Sequence, residues 1–186
     1  MKIEAIIRGL IESIGLNPND EYLKDTPRRV KKMWEILTSG YKMNIEELFS
    51  KSVCESKYDQ MIVVRDIDFF STCEHHLLPF YGKVHVGYLP DKKIIGLSKI
   101  PRLVEVFSRR LQVQERLTQQ LAETLMDHLQ PKGVGVIVEA QHLCMMMRGV
   151  EKVNSKIKTS VMLGAFKNDQ KTRDEFLNLV NKNYEV

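Results

Sequence analysis

Leu117, Leu121, Leu125 and Leu129 form an unbroken i, i+4 row. Such a row is the apolar stripe of one long helix, and a stripe of that length has to be buried against something. The helix ends near Pro131-Lys132-Gly133, where proline and glycine stop the pattern. On both sides of this helical stretch, which opens at Pro101, the period becomes that of strands. Residues 61–70 alternate in their second half and run directly into Cys73, and residues 83–88 alternate more clearly before a turn at Leu89-Pro90-Asp91. Behind the helix, residues 134–144 and 157–166 read as two more strands. Helices packed on a sheet, an α+β domain, is the architecture this order predicts.

The first third reads differently. Ile3, Ile6, Ile7, Leu10, Ile11 and Ile14 fall at helical spacing, with Gly15 where a helix commonly ends. Thr26-Pro27 predicts a second helix, Thr as cap and Pro in the first turn, with Val30, Met33, Trp34 and Leu37 as its stripe. Asn44-Ile45-Glu46-Glu47 predicts a third, and Thr172-Arg173-Asp174-Glu175 a last helix near the C-terminus. The expected organisation is a helical N-terminal extension over residues 1–58 and a catalytic domain over 59–186 that includes the C-terminal helix.

Composition limits the function classes. A net charge of +4 suits an anionic small molecule but is far from the dense basic stripe of a nucleic-acid binder. No apolar run approaches the roughly 18 residues of a membrane span, and acids interrupt the apolar stretch at the N-terminus. Neither nucleic acid nor membrane is an expected partner. Three cysteines make no disulfide framework. With histidines beside two of them, metal or catalysis in a reducing compartment, the cytoplasm, is the expectation.

Those histidines define the candidate site. Cys73-Glu74-His75-His76 ends the first strand, and Cys73 and His76, three apart in a turn, can converge on one ion. In the strand over 134–144, residues i and i+2 project on one face, so His142 and Cys144 can point together into one site. Two thiols and one imidazole leave a coordination position open on zinc, as a catalytic site requires. Spacing does not say which histidine is the ligand. The others would stand near the metal with a pKa suited to proton transfer. A closed structural zinc module, completed by Cys54 or His75, is the competing expectation. Ser98-Lys99-Ile100-Pro101-Arg102 at a strand-to-helix junction predicts a phosphate site, and Arg148 brings a further cation near the same strand end. Glu115 could make surface ion pairs among Arg109, Arg110 and Arg116, or accept two parallel hydrogen bonds from guanine, with Gln114 beside it. His85 and His128 read as structural or surface residues, and Met145-Met146-Met147 as strand packing.

Several motifs taken together resemble one family. S-T-C-E-H-H at 71–76, G-L-S-K-I at 96–100, Q-V-Q-E-R-L-T at 112–118, H-L-C-M-M-M-R-G at 142–149, L-G-A-F at 163–166 and T-P-R-R-V at 26–30 resemble GTP cyclohydrolase I, in the family's order. The resemblance implies Cys73, His76 and Cys144 as zinc ligands and His75 and His142 as an acid/base pair, with Ser98 among the proton-exchanging groups. It implies Glu115 as the guanine anchor with Gln114 beside it. Ser98, Lys99, Arg102 and Arg148 would serve ribose and triphosphate, with Arg29 and Lys32 as further phosphate contacts.

The implied reaction converts GTP and water to 7,8-dihydroneopterin triphosphate and formate, the first step of tetrahydrofolate and pterin biosynthesis. The implied fold is the tunnelling fold (T-fold), a four-stranded antiparallel sheet with two long helices, assembled as a homodecamer with sites at subunit boundaries. A related enzyme of the same fold acting on another purine or pterin would also suit Glu115. One departure is visible: Leu111 stands where the family often has proline, which relaxes a turn between helices without touching a chemical group.

Overall fold

A computed structural model describes residues 2–181. Three helices open the chain: α1 (Ile3–Ser13), α2 (Thr26–Leu37) and, after a 3-10 turn at Ser39–Lys42, α3 (Ile45–Ser50). There follow β1 (Val53–Glu55), β2 (Ile62–Cys73), β3 (Pro79–Leu89), β4 (Lys93–Ile95), α4 (Lys99–Ser108), β5 (Leu111–Gln112) and α5 (Gln114–Leu129). The chain continues through β6 (Gly133–His142), α6 (Leu143–Met146), β7 (Ile157–Gly164), α7 (Ala165–Asn168) and α8 (Gln170–Asn181).

The main sheet has the order β5-β2-β3-β6-β7. Its four longer strands are antiparallel, but the sheet is five-stranded, not four-stranded: Leu111 and Gln112 pair in parallel with Thr72 and Cys73. Leu111 therefore does not sit in a relaxed turn. Its N–H is used, donating to Tyr41 Oη at 3.2 Å, a bond that proline could not make. The small strands β1 and β4 form a second, separate sheet. Of the two long helices expected, α5 runs 16 residues and α4 only 10.

The leucine row behaves as its spacing requires. Leu117, Leu121, Leu125 and Leu129 are at most 2% exposed, and α5 packs on β6 and β7 while α4 packs on β2. The sheet meets them with Val84, Val86, Tyr88, Val134, Val136 and Val138, all buried on one face by strand alternation. Near one end of the opposite face, Phe166 and Phe176 stack edge-to-face over Gly87 and Gly135. A Cβ at Gly135 would lie 2.6 Å from Phe166, so only glycine admits this packing. His85 is buried and accepts the Asp66 N–H at Nδ1, 3.2 Å away, where β2 bulges and Asp66 takes φ +58°. Among the described residues no helix is long and apolar enough to cross a membrane.

Several local expectations shift. Asp25, not Thr26, occupies the N-cap of α2. Asp169 accepts from the N–H and hydroxyl of Thr172 at the start of α8, so the cap lies upstream of Thr172. The strand expected to reach Cys144 stops at His142, and Cys144 to Met146 lie in the single turn of α6, so the methionines are not strand packing.

Candidate metal centre and catalytic site

One end of the sheet gathers the cluster. Cys73 closes β2 and is 6% exposed. Its N–H bonds Leu78 O at 2.8 Å while its carbonyl accepts from Leu77 N–H at 2.8 Å, which folds residues 73–78 into a tight turn with Leu77 at φ +56°. Pro79 pairs with Thr72 and Phe80 with His142, so the start of β3 and the end of β6 arrive beside this turn. The first turn of α6 then carries Cys144 inward. Cys73, His76 and Cys144 present donor atoms that all lie within 4.8 Å of one another, with Cys73 Sγ 3.8 Å from His76 Nδ1. Burial, and next the Cys73 thiol beside it, push the Cys144 thiol up.

His142 and Cys144 are close in sequence but do not share a strand face. His142, the last residue of β6, stacks on Phe80 (centroids 4.7 Å apart, 6° between planes) and places Nε2 2.8 Å from Gln114 Oε1. Burial draws the pKa of His142 below the ordinary imidazole value, opposed by the negative charge of Glu115. Gln114 and Glu115 begin α5 and point differently: Gln114 is 2% exposed, whereas Glu115 is exposed and, among the described residues, has no ion-pair or hydrogen-bond partner. The arginines near Glu115 in sequence do not pair with it. His75 is exposed, with Nε2 3.9 Å from Glu74 Oε1.

The cations separate into two groups. Arg148 belongs to the cluster, its Nη1 3.3 Å from His76 Nε2. Lys99 and Arg102 instead line an open cavity of about 740 Å³ between α4 and the 3-10 turn and α3, together with Lys42, Asn44, Glu47 and Lys51. No cluster residue is part of that lining. Ser98 is exposed at the N-cap of α4 and makes no side-chain capping bond. Arg29 and Lys32 are exposed on α2, Arg29 near Asp25 at 3.9 Å; α2 packs mainly on α1 and the 3-10 turn. Cys54 lies exposed on β1, in the other sheet, with Sγ against Ile94 O, and is not part of the donor group.

The model of the family described as GTP cyclohydrolase I matches residues 3–181. This chain belongs to that family. It is 54% identical over 185 residues to GTP cyclohydrolase 1 of Campylobacter jejuni subsp. jejuni serotype O:23/36 (strain 81-176), covering 100% of this chain and 97% of the relative. GTP cyclohydrolase 1 of Leptospira biflexa serovar Patoc is 57% identical over 178 residues, 96% of this chain and 97% of the relative. The Chlorobium chlorochromatii protein of the same name is 54% identical over 180 residues, 97% and 81% of the two chains. A solved structure, the archaeosine synthase QueF-Like in the apo form, aligns with TM-score 0.47 and 17% identity over 58% of this chain and 97% of that one, too slight a likeness to bear on the fold.

This GTP cyclohydrolase I family enzyme holds the turn over residues 73–78 with partners that spacing did not single out. Arg116 pairs with Glu74 through Nη2 and Oε2, donates from Nε to Gln112 Oε1 at 2.8 Å, and reaches Leu111 O at 3.2 Å. Gln112 in turn donates to Phe107 O at 3.0 Å and Gln120 Oε1 at 2.8 Å. The hydrogen bonds from Arg116 hold the Glu74 carboxyl below its ordinary value. A sequence signal existed: Gln112, Arg116 and Gln120 stand four apart, and Glu74 is the acid inside the Cys-His motif.

Proposed function

We propose that the protein converts GTP and water to 7,8-dihydroneopterin triphosphate and formate, the entry step to tetrahydrofolate and pterins, with one zinc ion held by Cys73, His76 and Cys144. The observation that supports this most is the convergence of those three donors within 4.8 Å, beside His142 and the first turn of α5.

The donor set fits zinc. With bonds of about 2.3 Å to sulfur and about 2.0–2.1 Å to nitrogen, tetrahedral zinc spaces its ligand atoms roughly 3.5–3.8 Å apart. Cys73 Sγ and His76 Nδ1 stand 3.8 Å apart. Two thiols side by side with one pushed up in pKa ionise together only with a cation between them. When bound, zinc supplies Lewis acidity and water activation at the open coordination position.

The chain's own residues do the rest. Glu115 is exposed and unpaired among the described residues, so its carboxylate is available to accept the two parallel N–H groups of guanine. That contact would bring the purine five-membered ring toward the cluster, where His142 and His75 exchange protons with ring nitrogen and the opened ribose. Burial draws the pKa of His142 below the ordinary imidazole value, which favours the uncharged ring that a general base needs. A bond from His76 Nδ1 to a cation leaves the ring proton on Nε2, so Arg148 loses that partner and its guanidinium is free to face phosphate.

Ser98, Lys99 and Arg102 complete the triphosphate and ribose contacts in this reading. Lys99 and Arg102 line a different cavity of the same chain, and that placement favours a site built between copies, with the T-fold sheets of a homodecamer closing into barrels. Residues 1–58 then act as a helical extension that presents Arg29 and Lys32 to a neighbouring site, and residues 59–186 as the catalytic domain. A cytoplasmic setting matches the free thiols.

Incubation of the zinc-loaded protein with GTP tests the reading. Formate and, after oxidation, a fluorescent pterin should accumulate in equal amounts. Zinc-loaded protein that binds GTP and releases neither would overturn it.

A further inference from the structure

We infer that Gln114 is a positioning residue that fixes His142 in the tautomer with its proton on Nε2, so that Nδ1 is the atom that exchanges protons with substrate. The inference rests on the proton-transfer role proposed for His142 and specifies which atom performs it.

Hydrogen positions follow from a chain of donors and acceptors that has one solution. Gln114 Nε2 lies 3.0 Å from Val138 O, 3.0 Å from Ile157 O and 3.2 Å from Thr159 Oγ1. The first two are backbone carbonyls on neighbouring strands, acceptors only, so the amide group facing them must be the NH2. Turning the amide over would set its oxygen against two carbonyl oxygens in a buried site and forfeit both bonds. The hydroxyls agree with this orientation. Thr118 Oγ1 donates to Gln114 O at 2.7 Å, which leaves its lone pairs for Thr159 Oγ1 at 2.6 Å. Thr159 then donates to Thr118, and the two amide hydrogens of Gln114 serve the Val138 and Ile157 carbonyls, one of them shared with Thr159 Oγ1.

Gln114 Oε1 is the remaining atom, and it faces His142 Nε2 at 2.8 Å. An amide oxygen cannot donate, so the hydrogen between them belongs to Nε2. In a neutral ring that leaves the lone pair on Nδ1. Stacking on Phe80 at 4.7 Å and 6° holds the ring plane. Among the described residues, nothing engages Nδ1.

The consequence is directional. His142 accepts a proton at Nδ1, becomes an imidazolium whose Nε2–H stays on Gln114, and returns the same proton from Nδ1. Gln114 thus acts through His142, and its side chain, already committed to Val138, Ile157 and Thr159, has no donor left for guanine.

Ring-labelled histidine in the full-length zinc-loaded protein, read by solid-state nitrogen NMR, tests this directly. The chain has five histidines, and loss of one signal set in His142→Asn assigns the ring. Wild type should show His142 protonated at Nε2 and bare at Nδ1. A proton found on Nδ1 instead overturns the inference whatever the turnover. Gln114→Met, similar in size but without polar hydrogens, should give a mixture of both tautomers, with kcat lowered tenfold or more and KM for GTP within twofold. Raised KM with unchanged kcat in Gln114→Met would return Gln114 to substrate contact and overturn positioning. If the Gln114→Met variant fails to fold, the wild-type tautomer alone decides. Absence of formate from wild-type protein would refute the proposed function instead, which the NMR result does not depend on.

Discussion

At the scale of single residues, two histidines gain opposite meanings from the same force. Burial lowers the pKa of both His85 and His142, but only His142 lies beside a cluster of metal donors. For His85 the neutral ring is what the fold needs, because Nδ1 accepts the Asp66 N–H at the bulge. Burial is the largest influence; Asp66 and Glu139 oppose it, and Lys158 and Arg65 reinforce it. The folded pKa lies below the unfolded value of about 6.5, so the unfolded chain binds more protons as pH falls. Stability is therefore full above pH about 6.5 and declines as pH drops toward the folded pKa. Denaturant midpoints at pH 7.5 and 5.5 should differ less in His85→Leu than in wild type. That variant should also lose about 1–3 kcal/mol at neutral pH by orphaning the Asp66 N–H. An equal pH slope in both proteins would remove His85 as the cause.

Cys144 is the other decisive residue. Cys144→Ser keeps the shape of the site but replaces a thiolate by a hydroxyl that stays protonated. It should abolish metal retention and turnover while circular dichroism stays that of wild type, since Cys144 is only half-buried on a single helical turn. A variant that still carries one zinc per chain by atomic emission would move the third ligand elsewhere.

At the scale of elements, the metal turn and α5 are tied together. Glu74 N–H donates to Gln112 O at 3.1 Å, and Arg116 binds Glu74, Gln112 and the Leu111 carbonyl. Both charged side chains are partly exposed, 43% and 32%, so the pair adds little to global stability; its effect is on where the turn sits. Outer partners of metal ligands typically change affinity about 10- to 100-fold. Arg116→Ala should weaken zinc binding on the order of tenfold in competition with a chromophoric chelator, with an unaltered thermal midpoint for the metal-free protein. Unchanged affinity would mean that the backbone bond to Gln112 holds the turn unaided.

Much of this level was legible in the chain. The leucine row of α5, the strands leading into Cys73 and His142, and the Asn44 cap, which accepts from Glu47 N–H at 3.2 Å, follow from periodicity and local chemistry. What escaped were β1, β4 and β5, three, three and two residues long, because a period cannot register in so few positions. The end of β6 escaped too, since nothing local tells a strand from one helical turn across Leu143-Cys144.

At the scale of the molecule, the apolar residues Ile6, Leu10, Ile14, Met33 and Ile36 stay exposed on the first two helices and the residue that follows α1, and Lys99 and Arg102 stay apart from the cluster. Both observations are met if copies assemble and complete each other's sites. Light scattering should give a particle of ten chains. Mixing Cys144→Ser chains with Lys99→Ala chains should then recover activity that neither has alone. A fully active monomer would overturn assembly at the site.

The sequence by itself determined the donor types, their order and the family, because metal binding and helix burial depend on which groups are present and at what spacing. Only the tertiary structure decided the partners. Glu74 took Arg116, His142 took Gln114 rather than sharing a face with Cys144, and Cys54 was carried to another sheet. Those pairings depend on which strand ends meet, and that is set by register across the sheet, which no single segment encodes.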